Sequence, residues 1–343
     1  MILVTATVRT AAEERKQLVR NSRQRNTGRW AAVAIVLTLS LAAPAMAQDA
    51  TGGPEVVVPT DVPTDVRPVT GDFNASGRDT AFWYSPSSVD RRWQGKTDRT
   101  FAEMEPSVIG GDARPFSGDF NGDDRADIFF YGPGGQADKI WYGRSDNTFA
   151  EASVVVAGTF NAALPGDYNG DGRTDIVWYK PGSTTLARAN ADGTFTVTPL
   201  GVTNTYTPFV GDFNGDRRSD IFWYRPGTGS DQIWYGHSDY SFTGVAIRVD
   251  GTYVPLAGDW DGSGRTDIYW YKAGPGQDYA WFATSSGFTS VKLGANGTYK
   301  PFVGDFDGDH RSDIFWYGPG PAHDLTWFGL ANRTFLLGPA ISA

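Results

Sequence analysis

The chain has 343 residues, 14% of them aromatic, with 42 glycines and no cysteine; 39 acidic against 30 basic side chains give a net charge of −9. Without cysteine it can hold neither disulfides nor thiolate metal sites. The net negative charge excludes the broad basic surface that nucleic acid binding requires, while length alone fits one large domain or two ordinary ones.

Residues 1–29 carry Arg9, Arg15, Lys16, Arg20, Arg23, Arg25 and Arg29 against only Glu13 and Glu14, and the apolar run "WAAVAIVLTLSLAA" follows from Trp30 to Ala43. That run is shorter than the roughly 20 residues a membrane helix needs, and "AMA" at 45–47 is a small-x-small pattern. Residues 1–47 therefore read as a secretory signal peptide cleaved after Ala47, the alternative being an uncleaved N-terminal anchor. No later stretch is suited to span a membrane. Cleavage removes seven Lys/Arg and two Asp/Glu, leaving 23 basic and 37 acidic residues and a net charge of −14.

The Pro-rich residues 48–68 read as a linker that lends at most one strand to ring closure. From 69 to 343 the chain repeats itself. "GDFNASGRDTAFWY" starts at Gly71, and related segments start at Gly118, Gly166, Gly211, Gly258 and Gly304. Within each unit, short aromatic and β-branched runs alternate with Gly, Pro, Asn, Asp and Ser, the pattern of strands and turns. Four strands with their turns fill roughly 45 residues, the size of a propeller blade. The expected fold is thus an all-β, six-bladed β-propeller with four antiparallel strands per blade. Seven blades would result if "GGPEVVVPTDVPTDV" (52–66) supplied strands. The "FWY" aromatics are expected to fill the wedges between blades.

Counted from the first Asp of the repeated loop, oxygen-bearing side chains fall at positions 1, 3, 5 and 9, with Arg at 7. Hard Ca²⁺ takes six to eight oxygens from carboxylates, amides, backbone carbonyls and water. The expected ligands are Asp119, Asn121, Asp123, Asp127; Asp167, Asn169, Asp171, Asp175; Asp212, Asn214, Asp216, Asp220; Asp259, Asp261, Ser263, Asp267; and Asp305, Asp307, Asp309, Asp313, with the backbone carbonyls of Arg125, Arg173, Arg218, Arg265 and Arg311. The recurring guanidinium has no ligand role, and pairing with a nearby carboxylate is its simplest use. The first copy has Asp72, Asn74 and Ser76 but Thr80 at position 9, with Asp79 one place early, so about five Ca²⁺ sites are expected and the first is weak or empty. Seventeen of the 37 acidic residues occupy these positions. An EF-hand is excluded, because position 12 is aromatic and strands flank the loop.

With this loop the chain resembles the FG-GAP or VCBS repeat propellers, which include the integrin α-subunit propeller and several microbial and fungal lectins and carry a D-x-D/N-x-D-G-x-x-D calcium loop between the first two strands. The resemblance covers about residues 69–337 and implies a calcium-binding propeller with an open choice of ligand. It departs at position 6, where Asp124, Arg217 and His310 replace glycine.

After the second strand an Asp is followed three residues on by Trp: Asp90 and Trp93, Asp138 and Trp141, Asp231 and Trp234, Asp278 and Trp281, Asp324 and Trp327. On the face opposite the metal loops, the last four pairs are candidate sugar sites, a carboxylate beside an aromatic platform, whose repetition would add avidity. The plainer reading is that Asp anchors a hairpin and Trp packs between blades. No G-x-S-x-G elbow or H-E-x-x-H motif occurs, and His237, His310 and His323 have no identifiable nucleophile. The expectation is a secreted, monomeric, non-catalytic module that binds glycans or cell-surface molecules; the alternative is a polysaccharide-active hydrolase or lyase.

Overall fold

The computed structural model describes residues 56–57, 65–318, 323–339 and 341–342. The expected signal peptide and its cleavage point lie outside these residues. Among the described residues no helix is long and apolar enough to cross a membrane.

Six four-stranded antiparallel sheets follow one another along the chain, at residues 67–107, 114–154, 162–199, 207–247, 254–293 and 300–337. In the fourth, Thr207–Gly211 pairs with Asp220–Tyr224, that strand with Asp231–Gly236, and that in turn with Phe242–Ile247. The first strand of each sheet contacts the first strands of both neighbours, and the sixth returns to the first. This is a six-bladed propeller. The seven-blade alternative falls, because six sheets close the ring and no described residue of the leader adds a strand to a blade: Val56–Val57 instead pairs in parallel with Ile341–Ser342. The first blade begins at Arg67, so the linker as read overlaps its first two residues.

The second strands read as continuous apolar runs because both their faces are covered. All five residues of Thr80–Tyr84, Asp127–Tyr131, Asp175–Tyr179, Asp220–Tyr224, Asp267–Tyr271 and Asp313–Tyr317 are buried. Side chains alternate across the sheet, so each strand feeds the wedges on both sides of its blade. At one wedge Phe209 stacks on Phe222, with centroids 4.8 Å apart, and Trp270 of the next blade meets both edge-on at 5.8 and 5.5 Å. Phe116, Phe129 and Trp178 repeat this trio, as do Phe302, Phe315 and Trp83 across the closing junction. Such pairs contribute about 0.5–1.5 kcal/mol each beyond their buried area.

The last tyrosine of the second strand braces the crossover to the next blade. The Tyr224 hydroxyl donates to the Gly251 carbonyl at 2.7 Å and accepts from the Tyr253 N–H at 3.1 Å. Tyr131, Tyr179 and Tyr271 do the same.

Acidic loops and a groove between blades

In each loop the first carboxylate shapes the backbone. Asp212 Oδ1 accepts from Gly215 and Asp216 N–H, and its Oδ2 from Arg217 N–H at 2.7 Å. The turn needs left-handed backbone at position 4, where Gly122 has φ 75°, and at position 6. The non-glycine residues at position 6 comply: Asp124, Arg217 and His310 have φ 62°, 64° and 64°. The departure from glycine there changes the strain and leaves the loop geometry alone.

The ninth position is the most buried. Asp220 Oδ2 accepts from Phe213 N–H and its Oδ1 from Gly236 N–H, both at 2.9 Å, which ties the loop to the end of the third strand. Burial, reinforced by neighbouring loop carboxylates and opposed by these hydrogen bonds, pushes the carboxyls of Asp127, Asp175, Asp220 and Asp267 up to about 7 and Asp313 up to about 8. Carboxylates crowded in low dielectric stay ionised only if positive charge joins them.

Convergence is clearest in two loops. Carboxylate oxygens of Asp259, Asp261 and Asp267 lie within 4.8 Å of one another, as do those of Asp305, Asp307 and Asp313. These are positions 1, 3 and 9, and an all-oxygen cluster suits a hard divalent cation. Position 5 faces elsewhere. The recurring arginine takes it: Arg125 pairs with Asp123, Arg173 with Asp171 at 2.7 Å, Arg218 with Asp216 at 2.5 Å and Arg311 with Asp309. Asn121, Asn169 and Asn214 at position 3 donate to the same carboxylates. Ser263 has no such arginine pair, and Arg265 instead donates to the Asn214 carbonyl of the preceding loop at 3.2 Å.

The loops are joined in a ring. The N–H at position 8 donates to the position-1 carbonyl of the preceding blade at every junction: Ala126 to Asp72, Thr174 to Asp119, Ser219 to Asp167, Thr266 to Asp212, Ser312 to Asp259 and Asp79 to Asp305. In return, the Asp119, Asp212 and Asp259 N–H groups donate to the hydroxyls of Thr174, Thr266 and Ser312. At the closing junction the acceptor is Asp79 Oδ2, at 2.9 Å from the Asp305 nitrogen. The early aspartate of the first copy is therefore an inter-blade link in the hydroxyl's place.

The carboxylates proposed from sequence as sugar acceptors do not face a ligand. Asp138, Asp231, Asp278 and Asp324 are buried. Asp138 accepts from Gly132 and Val156 N–H, Asp231 from Arg225 and Val249, Asp278 from Lys272 and Ala295, and Asp324 from Gly318. Asp138, Asp231 and Asp278 close the turn and anchor the exit of the fourth strand, whereas Asp324 closes the turn alone, its Oδ2 buried without a hydrogen-bond partner among the described residues. Their tryptophans pack across the junctions: Trp141 meets Phe82 of the preceding blade edge-on, Trp234 and Trp281 join the mixed clusters there, and Trp327 meets Tyr269. The third blade keeps the arrangement without Asp, the Thr184 hydroxyl bonding the Lys180 carbonyl.

One feature escaped the sequence reading. A groove of about 840 Å³ opens between the fourth and fifth blades. Its walls include Tyr235, Tyr253, Tyr279 and Trp281, all half-buried, and its rim carries Asn214, Thr284, Ser285 and Ser286. The local cause is a short hairpin. Five residues lie between Gly143 and Phe149 and between the matching positions of four other blades, but only four, 284–287, between Ala283 and Phe288 in the fifth. Thr284 pairs with Gly287, so the fifth blade turns on Ser285 and Ser286. The signal lay in the spacing between Ala283 and Phe288.

An FG-GAP-like repeat family model matches residues 119–178 and 167–223, so the propeller carries FG-GAP-like repeats. No curated protein matches the sequence significantly. Among solved structures, an Agrocybe aegerita lectin that recognises non-reducing terminal N-acetylglucosamine is 19% identical, with 81% of this chain and 79% of that one covered and a TM-score of 0.55. The Aleuria aurantia lectin, a six-bladed β-propeller that recognises fucose, is 11% identical, with 83% and 98% covered and a TM-score of 0.53. The Photorhabdus luminescens Tc holotoxin pore is 17% identical, with 82% of this chain but 14% of that one covered and a TM-score of 0.57. At these identities the likeness is one of fold.

Proposed function

We propose that this is an exported, calcium-braced propeller that binds saccharides without transforming them, through the groove between the fourth and fifth blades. The groove carries the reading. Flat aromatic faces beside a rim of hydroxyl and amide groups suit a ligand with apolar ring faces and a polar edge, and the lectins of like fold favour the same class. Export follows from the basic and apolar residues 1–47. Calcium is the cation that best suits clusters of carboxylate and carbonyl oxygen in a flexible loop, with Asp259, Asp261 and Asp267, or Asp305, Asp307 and Asp313, as its holders. When bound it neutralises the buried carboxylates and braces the ring of loops. The natural partners are then glycans at cell surfaces.

The mature chain from residue 48, applied to a glycan array with and without calcium, tests this. Retention of one sugar class by the native protein, lost in Trp281→Ala with folding unchanged, is the expected result. Release of cleaved products from a polysaccharide would replace the reading with an enzymatic one.

A further inference from the structure

The six junctions differ in what covers position 3 of the acidic loop. In four of the six blades the third-to-fourth-strand turn places a non-glycine residue in the left-handed conformation: Arg99, Asn147, Tyr240 and Arg333, with φ 67°, 64°, 65° and 66°. Each projects onto the loop of the preceding blade. Asn147 accepts from Asn74, Arg99 Nε donates to Asp307 at 2.8 Å, and Arg333 Nε donates to Asp261 at 2.9 Å. Tyr240 packs in one cluster with Tyr168 of the third loop, with the Arg188 guanidinium 5.0 Å from its ring centre. The third blade has Gly193 there, leaving Tyr142 beside it. The fifth blade lacks the position altogether, because its turn is one residue shorter, and there Asn214 lines the open groove.

We propose that a saccharide in this groove takes the place of the missing turn residue, its hydroxyls hydrogen-bonding the Asn214 side chain, so that ligand and calcium are coupled through the fourth loop. This rests on the groove being the sugar site. Three other junctions supply the chemistry: there position 3 is satisfied across the blade boundary by an amide or a guanidinium, and at this junction by a ligand of the same hydrogen-bonding capacity. Asn214 is held on its own side by Asp216 and through its carbonyl by Arg265. A cation gathered by Asp212 and Asp220 beside Asn214 would therefore fix the amide that meets the sugar. Linkage then requires that the sugar tighten calcium at this loop by the factor by which calcium tightens the sugar. The site is single, in contrast to a ring of equivalent sites.

The glycan retained most strongly on the array, used as a free oligosaccharide, provides the probe. Calorimetry of the full mature protein should give weaker binding by about ten-fold in Asn214→Ala, the loss of one or two hydrogen bonds, with the melting temperature in excess chelator unchanged. Replacing residues 284–287 by the five-residue turn RSDNT of the second blade should abolish binding while the fold persists. Calcium titrations with and without the oligosaccharide should show one site tightened in the native protein and none in the turn-replacement variant, whose acidic loops are intact. Retained affinity in both variants, or calcium binding indifferent to the oligosaccharide, would overturn the coupling while leaving the sugar reading intact. No glycan retained at all would overturn both.

Discussion

Arg217 and His310 occupy a backbone conformation that Gly77, Gly172 and Gly264 supply in the other loops. An L-residue there costs about 1–2 kcal/mol, and glycine in the unfolded chain gives back roughly half of that. Arg217→Gly and His310→Gly should each raise stability by about 0.5 kcal/mol, read from denaturant midpoints; a fall in either would show that the side chain matters more than the strain. The Asp138 carboxylate carries the opposite sign. Both its oxygens accept backbone N–H groups inside the blade, at 2.7 and 2.8 Å. Asp138→Asn turns one acceptor into a donor facing a donor and should cost about 2 kcal/mol or more, with glycan retention unaffected. Loss of retention at full stability would restore the sequence reading of this residue. That reading failed for a physical reason: the Asp-x-x-Trp spacing was plain in the sequence, but whether a carboxylate turns to solvent or to two peptide groups depends on the chain returning 18 residues later at Val156.

At the scale of the element, the loop and the second strand were the most legible parts, because six copies make a spacing visible that one copy cannot. The loop's internal geometry was less so. Position 5 was read as a ligand, yet in four loops its carboxylate meets the arginine at position 7; alternation along the chain predicts which way a side chain starts, and charge decides where it ends. Positions 1, 3 and 9 are the ones whose carboxylates converge in the fifth and sixth loops. At a free calcium ten times the dissociation constant, each filled loop adds about 1.4 kcal/mol to stability. Calorimetric melting should therefore shift down steeply from millimolar calcium to excess chelator, and an unchanged midpoint would remove calcium from the account. The short hairpin at 284–287 was legible as a one-residue deletion. Its meaning was not, because only the assembled ring brings the turn of one blade over the loop of the one before it.

The whole ring closes without sharing a strand between its ends. Each blade is one continuous segment of chain, so the junction of the sixth blade with the first has no covalent crossover. Its contacts are correspondingly dense: Trp83 against Phe302, Phe315 and Tyr317, Thr70 Oγ1 to the Val303 carbonyl at 2.5 Å, the two-way link between Asp79 and Asp305, and Arg99 on Asp307 with its guanidinium 5.2 Å from the Phe328 ring centre. The fifth and sixth blades carry the same arginine clasp, Arg333 on Asp261 over Phe282 at 5.5 Å, but they are also tethered by residues 294–299. A short tether holds two surfaces at an effective concentration in the millimolar range, so losing one clasp there allows little separation. At the closing junction there is no covalent crossover, the described chain ends meeting only in the short pairing of Val56–Val57 with Ile341–Ser342, and removing Arg99 also leaves the buried Asp307 without its partner. In saturating calcium, Arg99→Ala should speed hydrogen exchange of the Asp79 amide by about ten-fold, as expected for a partly buried ion pair. Arg333→Ala should change the Ser312 amide by no more than about two-fold. Equal acceleration at both junctions would mean that the crossover contributes nothing to cohesion and that the ring is held by side-chain contacts alone.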